Sequence, residues 1–130
     1  MHLKIVTVDR TIVDEEIIAL LTSSESGEFV ILPDHAPLIA LTVPAPTVIT
    51  LPDKRRRVLF TDSGVLKVLD NELLFITDGA QWKDDINQAH AEEERLQAKE
   101  QLKDRTREDL ALVKSALARA EAKIRTGRTT

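Results

Sequence analysis

From the N-terminus to Gly79, apolar and polar side chains alternate in short runs that are separated by turn-forming residues. Such runs, with no helix-length segment between them, predict antiparallel strands folded into a sandwich or barrel. The predicted strands are Leu3–Val8, Ile12–Thr22, Glu28–Leu32, Leu38–Val43, Thr47–Leu51, Arg55–Thr61, Val65–Leu69 and Glu72–Thr77. The pair Asp78-Gly79 is predicted to close this part of the chain.

A different pattern begins after Asp85, where Gly and Pro are absent until Gly127 and the strong helix formers Ala, Glu, Lys, Leu, Arg and Gln dominate. Asp85 with Gln88, and Thr106 with Asp109, are spaced as helix-capping pairs. Two helices are therefore predicted, the first capped by Asp85 and the second stopped by Gly127.

The second predicted helix carries one narrow apolar stripe with spacings of three and four residues: Leu110, Val113, Leu117, Ala120 and Ile124. The same register continued into the first helix meets mostly polar side chains, so a weakly packed hairpin is expected. The link Lys103–Thr106 contains no residue that a helix forbids, which leaves two arrangements of the helices open at little cost beyond the lost packing.

The fold prediction is an N-terminal antiparallel β-sandwich over residues 1–82, followed by a C-terminal α-helical hairpin over residues 83–130. Trp82 is expected to pack at the seam between them. The absence of Cys excludes a disulfide framework, and no apolar stretch reaches the length of a membrane-spanning helix. Because the N-terminus lacks a signal-peptide pattern, the protein is expected to stay inside the cell.

Enzymatic signatures are missing, since the sequence contains no GxxxxGK, HExxH or GxSxG motif. His2, His35 and His90 are scattered, and the acidic run Asp14–Glu16 alternates between strand faces, so no metal site is predicted. The basic run Arg55–Arg57 lies in an acidic part of the chain, which favours a charged edge strand over contact with nucleic acid. No catalytic residue, metal or cofactor is predicted.

One segment is more specific than the rest. Gly27–Leu38 reads GEFVILPDHAPL and closely resembles the G-E-x-G-I-L-P-x-H-A-P-L segment of the F-type ATP synthase epsilon family, with Val30 in place of the second glycine. The run Asp62–Asp78 and the closing stretch Ala116–Arg125 are similar to later parts of that family. The resemblance covers nearly the whole chain in the right order.

The resemblance implies a non-catalytic rotor subunit in the central stalk of a proton- or sodium-translocating F-type ATP synthase. Such a subunit couples the catalytic head to the membrane ring. The implied partners are the gamma subunit, the ring of c subunits, and the alpha and beta subunits of the head. The implied location is peripheral, on the cytoplasmic or equivalent inner face of an energy-transducing membrane, without insertion into it.

Glu28, Asp34 and His35 match polar positions of the family's ring-docking loop. The resemblance therefore implies that Glu28 and His35 lie together at one tip of the sandwich and contact the ring. From the residues alone, the same segment is a Pro-rich turn in which Glu28 and His35 satisfy backbone groups.

The last 20 residues carry five basic side chains and one acidic one, a net charge of +4. Charge alone fits either a solvated helix end that matches the helix dipole or a surface for an acidic partner. The resemblance implies that these cations restrain ATP hydrolysis when the second helix extends along gamma toward the head. They are Lys114, Arg119, Lys123, Arg125 and Arg128.

Some members of the family bind ATP through a segment of the form I/L-D-x-x-R-A, which aligns with Ile86–Ala91. Here Asn87 replaces the carboxylate and His90 the arginine, and a neutral imidazole cannot hold a polyphosphate as a guanidinium does. A helix start with Ala89 packed inward is the favoured interpretation. Weak ATP binding stays open as an alternative, through Ile86, His90, Arg119 and Lys123.

A second class of function also stays open: a freestanding β-sandwich interaction module whose hairpin dimerises as a coiled coil. The apolar stripe from Leu110 to Ile124 would form the seam of that coiled coil. The stripe spans about two heptads, whereas three or four indicate a coiled coil, and this shortness disfavours the second class.

Overall fold

The computed structural model describes residues 1–130. Its ten strands are β1 (His2–Val6), β2 (Thr11–Glu16), β3 (Ala19–Ser24), β4 (Gly27–Ile31), β5 (Leu38–Thr42), β6 (Ala45–Thr50), β7 (Arg56–Thr61), β8 (Gly64–Leu69), β9 (Glu72–Thr77) and β10 (Ala80–Trp82). A 3-10 turn at Lys83–Asp85 leads to the helices α1 (Gln88–Leu102) and α2 (Leu110–Arg128). Neither helix is long and apolar enough to cross a membrane.

Hydrogen bonds join the strands in the order β10-β7-β6-β3-β5-β8-β9-β1-β2, with β4 beside β3. Between β3 and β5 only Ser24 and Thr42 pair, and at this point the sheet folds over into two layers. One layer contains β10, β7, β6, β3 and β4, and the other contains β5, β8, β9, β1 and β2. The predicted sandwich followed by a helical hairpin is confirmed.

Strand alternation builds the core between the two layers. Leu66 and Val68 on β8, and Leu73 and Phe75 on β9, are buried, while their sequence neighbours on the strands are exposed. Thirteen buried residues from both layers form one cluster. Each fully buried side chain of this kind stabilises the fold by about 1.5–3 kcal/mol.

Three features of the sheet differ from the sequence prediction. The predicted strand Ile12–Thr22 is two strands, because the amide of Ile17 donates to Met1 and that of Ile18 to Thr50, so the chain changes partners there. β10 follows the predicted closing pair and lies antiparallel to β7. β1 runs parallel to β9, whereas all other pairs are antiparallel.

The cap of α1 is not the predicted one. Asn87 holds the N-cap position, and its side-chain oxygen accepts a hydrogen bond of 3.0 Å from the amide of His90. Asp85 lies upstream in the 3-10 turn. The prediction of Asp85 as the cap is therefore wrong. Asp and Asn are both favoured at N-caps, and with Asp85 and Asn87 only two positions apart, their spacing did not show which of them caps the helix.

The start of α2 also differs from the prediction. Asp109, not Thr106, precedes the first helical residue, and its carboxylate accepts hydrogen bonds from Arg107 instead of capping the helix. Thr106 lies in the link, where its amide and hydroxyl both donate to the carboxylate of Asp104. These local bonds hold the link in a turn, because Asp side chains compete with helical hydrogen bonding.

The hairpin docks on the sandwich through α2. This helix lies against β6 and β7, while α1 packs on α2. Val48 on β6 and Phe60 on β7 point away from the sandwich core, yet each is only 3% exposed. The cover over these two side chains is therefore α2, and the sandwich contributes a second apolar surface to the fold.

Within the hairpin, the predicted stripe is turned inward over most of its length. Val113, Ala120 and Ile124 are buried, whereas Leu110 and Leu117 are half-buried. On α1, the buried residues are Ala91 and Ala98. Ala89 is exposed, so the prediction that it packs inward is wrong, because the cap at Asn87 turns a different face of α1 toward α2.

Gly127 does not stop the second helix, which continues to Arg128. Gln88 of α1 lies directly against Gly127, where a Cβ would come within 1.5 Å of the Gln88 amide nitrogen. The same amide donates to the backbone oxygen of Lys123 over 3.5 Å. Gly127 therefore lets the start of α1 approach the end of α2 closely.

Candidate functional site

The loop between β4 and β5, residues 32–37, is fixed to the turn between β8 and β9. The amide of Asp34 donates to the side-chain oxygen of Asn71 over 2.7 Å, and the Asn71 side-chain nitrogen donates back to the Asp34 carboxylate over 3.0 Å. Asp34, Asp70 and Asn71 all have positive φ, which Asn and Asp tolerate better than most residues. This reciprocal pair holds an exposed loop in one conformation.

His35 lies in the same loop and is exposed. Its Nδ1 is 2.6 Å from the backbone oxygen of Ala36. The imidazole also borders a shallow groove of about 320 Å³, which contains the apolar side chains Phe29, Leu38 and Ala40. Asp34 and His35 therefore form one polar corner beside an apolar groove.

Glu28 is exposed, but it lies on β4 opposite Ser23 and not in the loop. It borders a different cleft, of about 550 Å³, together with Arg125 and Arg128 at the end of α2. Glu28 and His35 thus border different clefts, and their common place at one tip stays a prediction. Glu28 is the second residue of β4, and His35 lies in the loop that follows this strand.

The five cations predicted as one group are divided by the docked hairpin. Arg119 faces Asp62 of the sandwich, with 3.9 Å between its Nε and the carboxylate, and the Lys123 ammonium lies 5.5 Å above the ring of Phe60. The others are exposed: Lys114, Arg125 and Arg128. Arg119 and Lys123 therefore hold the helix on the sandwich in this conformation.

The groove between the helices has a mixed charge. It measures about 430 Å³ and is bordered by Glu92, Arg95, Lys99, Glu121, Ile124, Arg125 and Arg128. Arg95 donates to Glu92, and this hydrogen bond lowers the pKa of the Glu92 carboxyl. Part of the positive charge of the groove is thus already neutralised within α1.

A further contact ties the end of α2 to the sandwich. The Lys83 ammonium donates to the backbone oxygen of Thr129 over 2.6 Å. Lys83 opens the 3-10 turn after β10, so the contact joins the boundary of the sandwich to the last residues of the hairpin. Next to it, Trp82 is half-buried with the Arg57 guanidinium 4.0 Å above its ring.

Three of the residues predicted as a doubtful nucleotide site, His90, Arg119 and Lys123, make other contacts. His90 is exposed on α1 and pairs with Glu94 over 3.2 Å. Ile86 is half-buried after the 3-10 turn, and Arg119 and Lys123 face the sandwich as described. Asn87, which aligns with the carboxylate position of the family's ATP-binding segment, caps α1 through its side chain.

Sequence reasoning missed a cluster at the open edge of the second layer. His2 lies between Asp14 and Glu16, with one ring nitrogen hydrogen-bonded to each carboxylate. The hydrogen bonds to Asp14 and Glu16 raise the pKa of His2, and the bond from His2 lowers the pKa of Glu16. Pairing of β1 with β2 brings these groups together, and no group of carboxylates and imidazoles in the structure is arranged to hold a metal.

Other residues missed by the sequence are Asp62, Lys83 and Asn71. Each was visible as a turn or boundary residue, but its partner lies 37 to 57 positions away, at Arg119, Thr129 or Asp34. Local patterns carry no signal for such pairs, since they depend on how α2 and the loops are placed on the sandwich.

Comparison with known proteins agrees with the fold. The sequence profile of the family described as "ATP synthase, Delta/Epsilon chain, beta-sandwich domain" matches residues 1–83. The chain is 36% identical over 104 residues to the ATP synthase epsilon chain of Clostridium perfringens (strain SM101 / Type A), covering 80% of this chain and 78% of that one. It is 32% identical over 124 residues to the epsilon chain of Clostridium kluyveri (strain ATCC 8527), covering 95% and 94%.

Solved structures share the architecture at low identity. A chain in the mitochondrial ATP synthase of Euglena gracilis matches with a TM-score of 0.85 and 16% identity, over 92% of this chain and 76% of that one. A chain in the central stalk and c-ring of the Tetrahymena thermophila enzyme matches with a TM-score of 0.58 and 11% identity, over 98% and 92%. These likenesses concern the fold. Together with the profile and the relatives, the class is the sandwich-and-hairpin subunits of ATP synthases.

Within that class, the chain belongs to the epsilon-chain family of F-type ATP synthases.

Proposed function

We propose that this chain is a non-catalytic rotor subunit in the central stalk of a proton- or sodium-translocating F-type ATP synthase. It couples the catalytic head of alpha and beta subunits to the ring of c subunits and binds the gamma subunit through its sandwich. Membership of the epsilon-chain family carries this proposal, and the stalk and ring named for the Tetrahymena structure support it. The subunit sits peripherally, on the cytoplasmic or equivalent inner face of the membrane.

A rotor subunit has to transmit torque without yielding, and the sandwich is suited to that task. Its strands form one continuous hydrogen-bonded sheet around a single core. The exposed loop with Asp34 and His35 is held by Asn71, so a contact made there acts on the rigid body. We assign the ring contact to this corner and treat Glu28, which borders a different cleft, as a separate contact.

The hairpin supplies regulation in this proposal. When α2 leaves the sandwich and extends along gamma, its five cations meet acidic surfaces of the head and restrain ATP hydrolysis. The polar contacts that hold α2 down are few, and the half-buried pair Arg119–Asp62 is long, at 3.9 Å. The larger cost of release is exposure of Val48 and Phe60, which the sequence did not anticipate.

ATP is not a tight ligand in this proposal, and the subunit acts without a cofactor or catalytic residues of its own. His90 is paired with Glu94, and Asn87 carries no charge with which to order a nucleotide. Weak ATP binding through Arg119 and Lys123 would have to compete with their contacts to Asp62 and Phe60.

Reconstitution tests the proposed function directly. The purified chain is added to the alpha, beta and gamma assembly of its own ATP synthase from which epsilon has been removed. We expect a stoichiometric complex and reduced ATP hydrolysis. A chain that neither associates with gamma nor changes hydrolysis would contradict the proposal.

The alternative, a freestanding module that dimerises through its hairpin, has less support. Val113, Ala120 and Ile124 of the required seam are buried within the single chain. A coiled-coil dimer would have to open the hairpin first. Sedimentation of the isolated chain as a monomer, together with its co-purification with gamma, would exclude this alternative.

A further inference from the structure

The loop that carries His35 has little backbone support of its own. All of its residues, 32–37, are exposed. None of the backbone–backbone hydrogen bonds outside the helices and strands involves a residue of this loop. Pro33 and Pro37 restrict the backbone at two positions, because a proline ring fixes φ, but they supply no amide donor. The conformation of the loop therefore has to be held by side chains.

Asn71 supplies the side-chain hydrogen bonds that reach the loop from elsewhere in the chain. Its side-chain oxygen accepts a hydrogen bond from the Asp34 amide over 2.7 Å, and its side-chain nitrogen donates to the Asp34 carboxylate over 3.0 Å. The remaining side-chain hydrogen bond of the loop joins His35 to the backbone oxygen of Ala36 and is internal to it. We call the two bonds between Asn71 and Asp34 the clamp.

The backbone of Asp34 explains why the loop needs the clamp. Its φ is 67°, in the left-handed region that residues with a Cβ atom occupy at a cost in free energy. Asp and Asn reach this region more readily than other residues when their short side chains form hydrogen bonds. Here both the amide and the carboxylate of Asp34 bond to Asn71, so the clamp stabilises the unusual backbone conformation directly.

Asn71 is itself held in a fixed position. The connection between β8 and β9 consists of Asp70 and Asn71 alone, between the paired residues Leu69 and Glu72. The two φ values, 50° and 61°, have the sign that a type I′ hairpin turn requires, and Asn is favoured in such turns. The backbone oxygen of Asn71 also accepts the amide of His2 over 2.9 Å. The clamp is thus anchored to β8, β9 and β1, three strands of the second layer.

The hydrogen bonds of the loop give Asp34 and His35 different roles. The Asp34 carboxylate is engaged by Asn71, whereas Nε2 of His35 makes no hydrogen bond within the chain. Because Nδ1 of His35 lies 2.6 Å from a carbonyl oxygen, it carries the hydrogen, and in the neutral ring Nε2 is then an acceptor. His35 can therefore accept a hydrogen bond from a donor on a partner, while Asp34 fixes the backbone beside it.

We infer that Asn71 is a positioning residue for the ring contact, because the clamp holds the loop so that His35 meets the ring in one orientation. Asp34 is the partner of Asn71 in this arrangement and not a contact of its own. The inference rests on the proposed function, which assigns the ring to this corner of the sandwich. It adds the turn between β8 and β9 to the parts of the chain on which ring binding depends.

The expected size of the effect follows from the population of the held loop. The apparent affinity of a flexible loop falls with the fraction of molecules in the binding conformation. If loss of the clamp leaves about one molecule in ten in that conformation, ring binding weakens about tenfold. The sandwich should stay folded, since neither Asp34 nor Asn71 belongs to the core cluster.

The test removes the clamp without breaking the turn. Asn71→Gly does so, because Gly adopts a positive φ readily. Asp70→Gly is the matched control, since it makes the same kind of change in the same turn and leaves both bonds of the clamp. Each full-length variant is assembled with the alpha, beta and gamma subunits of its own ATP synthase, and binding of the assembly to the immobilised, purified ring of c subunits is measured. We expect about tenfold weaker binding for Asn71→Gly and unchanged binding for Asp70→Gly.

Hydrogen exchange in the isolated chain, followed by NMR, reports on the clamp itself. The Asp34 amide bonds to Asn71, so its exchange should be faster in Asn71→Gly than in the unaltered chain or in Asp70→Gly. The amide of Phe75, in the core of the second layer, should exchange equally slowly in all three proteins. Unchanged exchange of the Asp34 amide in Asn71→Gly would show that the loop is held without Asn71 and would overturn the inference.

An exchange of the two side chains separates positioning from a general structural role. Asn71→Asp places two carboxylates against each other, and their repulsion should open the clamp and weaken ring binding. Adding Asp34→Asn restores a donor opposite the carboxylate, so ring binding by the double variant should recover. If Asp34→Asn alone, which keeps both bonds of the clamp, weakens binding as strongly as Asn71→Gly, the charge of Asp34 contacts the ring and the inference is wrong.

The possible outcomes separate the two proposals. If the assembly with the unaltered chain does not bind the ring, the proposed function fails. If it binds, and Asn71→Gly binds equally well although its Asp34 amide exchanges faster, the rotor function stands and the clamp has no role in ring binding. Equal weakening by Asn71→Gly and Asp70→Gly would assign the effect to the turn as a whole and would also overturn the inference.

Discussion

Lys83 and Thr129 join the two ends of the C-terminal region, with 2.6 Å between the Lys83 ammonium and the Thr129 backbone oxygen. Lys83 belongs to the turn that leaves the sandwich, and Thr129 follows the last residue of α2. A cation near the C-terminus of a helix also matches the helix dipole. This contact therefore adds to those of Arg119 and Lys123 in holding the hairpin against the sandwich.

Replacing Lys83 by Met should shift the hairpin toward the undocked state. A hydrogen bond from a charged donor contributes about 1.5–3 kcal/mol, so the docked-to-undocked ratio should fall about tenfold or more. Because the chain has no Cys, spin labels can be placed at Ser26→Cys and Ser115→Cys, and electron resonance measures their separation. We expect a new population at longer distance, absent from the control Lys114→Met, whose side chain is exposed. Identical distributions in both variants would contradict the role of Lys83.

Ending the chain after Asp104 should leave the sandwich folded, because all thirteen residues of its core cluster precede that point. Loss of α2 uncovers Val48 and Phe60. Full exposure of a buried side chain of this kind costs about 1.5–3 kcal/mol of stability, so the melting temperature should fall. Assembly with gamma should persist, and ATP hydrolysis by the complex should rise.

The matched control for this truncation keeps the helices and removes only their charge. In this control variant, five basic residues are replaced by Gln: Lys114, Arg119, Lys123, Arg125 and Arg128. We expect the same increase in hydrolysis with a smaller effect on melting. Unchanged hydrolysis in both variants, with normal assembly, would show that the helices do not inhibit this enzyme.

Calorimetry with ATP should give no binding in the micromolar range, since His90 and Asn87 lack the charges that order a polyphosphate. The double exchange Asn87→Asp and His90→Arg restores the family pattern and keeps a capping side chain at the start of α1. This variant should bind ATP more tightly than the unaltered chain. Micromolar affinity of the unaltered chain would prove the expectation wrong.

Stability near neutral pH should depend on His2. Asp14 and Glu16 raise the pKa of His2 in the folded state, so its contribution is fully present below the unfolded value of 6.5 and is lost as the pH rises through the folded pKa. The lowered pKa of Glu16 works in the other direction, since its contribution is lost only as the pH falls below 4.5. Stability from this cluster is therefore greatest between pH 4.5 and 6.5.

Urea unfolding measured from pH 4.5 to well above 6.5 checks the role of His2. For the unaltered chain, the urea concentration at the unfolding midpoint should fall as the pH rises through the folded pKa of His2. The variant His2→Gln should not show this decline. His35→Gln serves as the control, because His35 bonds only to a neighbouring backbone oxygen. An equal pH profile in all three proteins would rule out the cluster as its source.

The sequence predicted the strands well because alternation and turn residues are local properties. Leu66, Val68, Leu73 and Phe75 could be placed inward from their spacing alone. The break at Ile17 could not be predicted, because no turn residue marks it and the amides there bond to distant partners. The parallel pairing of β1 with β9 is likewise a long-range choice.

The candidate site was less accessible to sequence reasoning. The motif singled out Glu28, Asp34 and His35, which are all exposed, and the predicted strand Glu28–Leu32 already placed Glu28 ahead of the loop. What the sequence could not reveal is that Glu28 borders a cleft with Arg125 and Arg128 at the end of α2. The cationic helix was evident from composition. That Arg119 and Lys123 face Asp62 and Phe60 follows from how the hairpin is docked, which local patterns do not encode.

The parallel pairing of β1 with β9 has a consequence for the order of folding during synthesis. β1 lies between β2 and β9, yet β9 ends only at Thr77. The first residues to leave the ribosome can form the β1–β2 hairpin early, but that hairpin has no place in the sheet until most of the sandwich has been made. Since non-local pairing is slow, docking of this hairpin is the step that completes the layer. The subunit therefore cannot offer a finished rotor surface to the assembling ATP synthase before translation has passed β9.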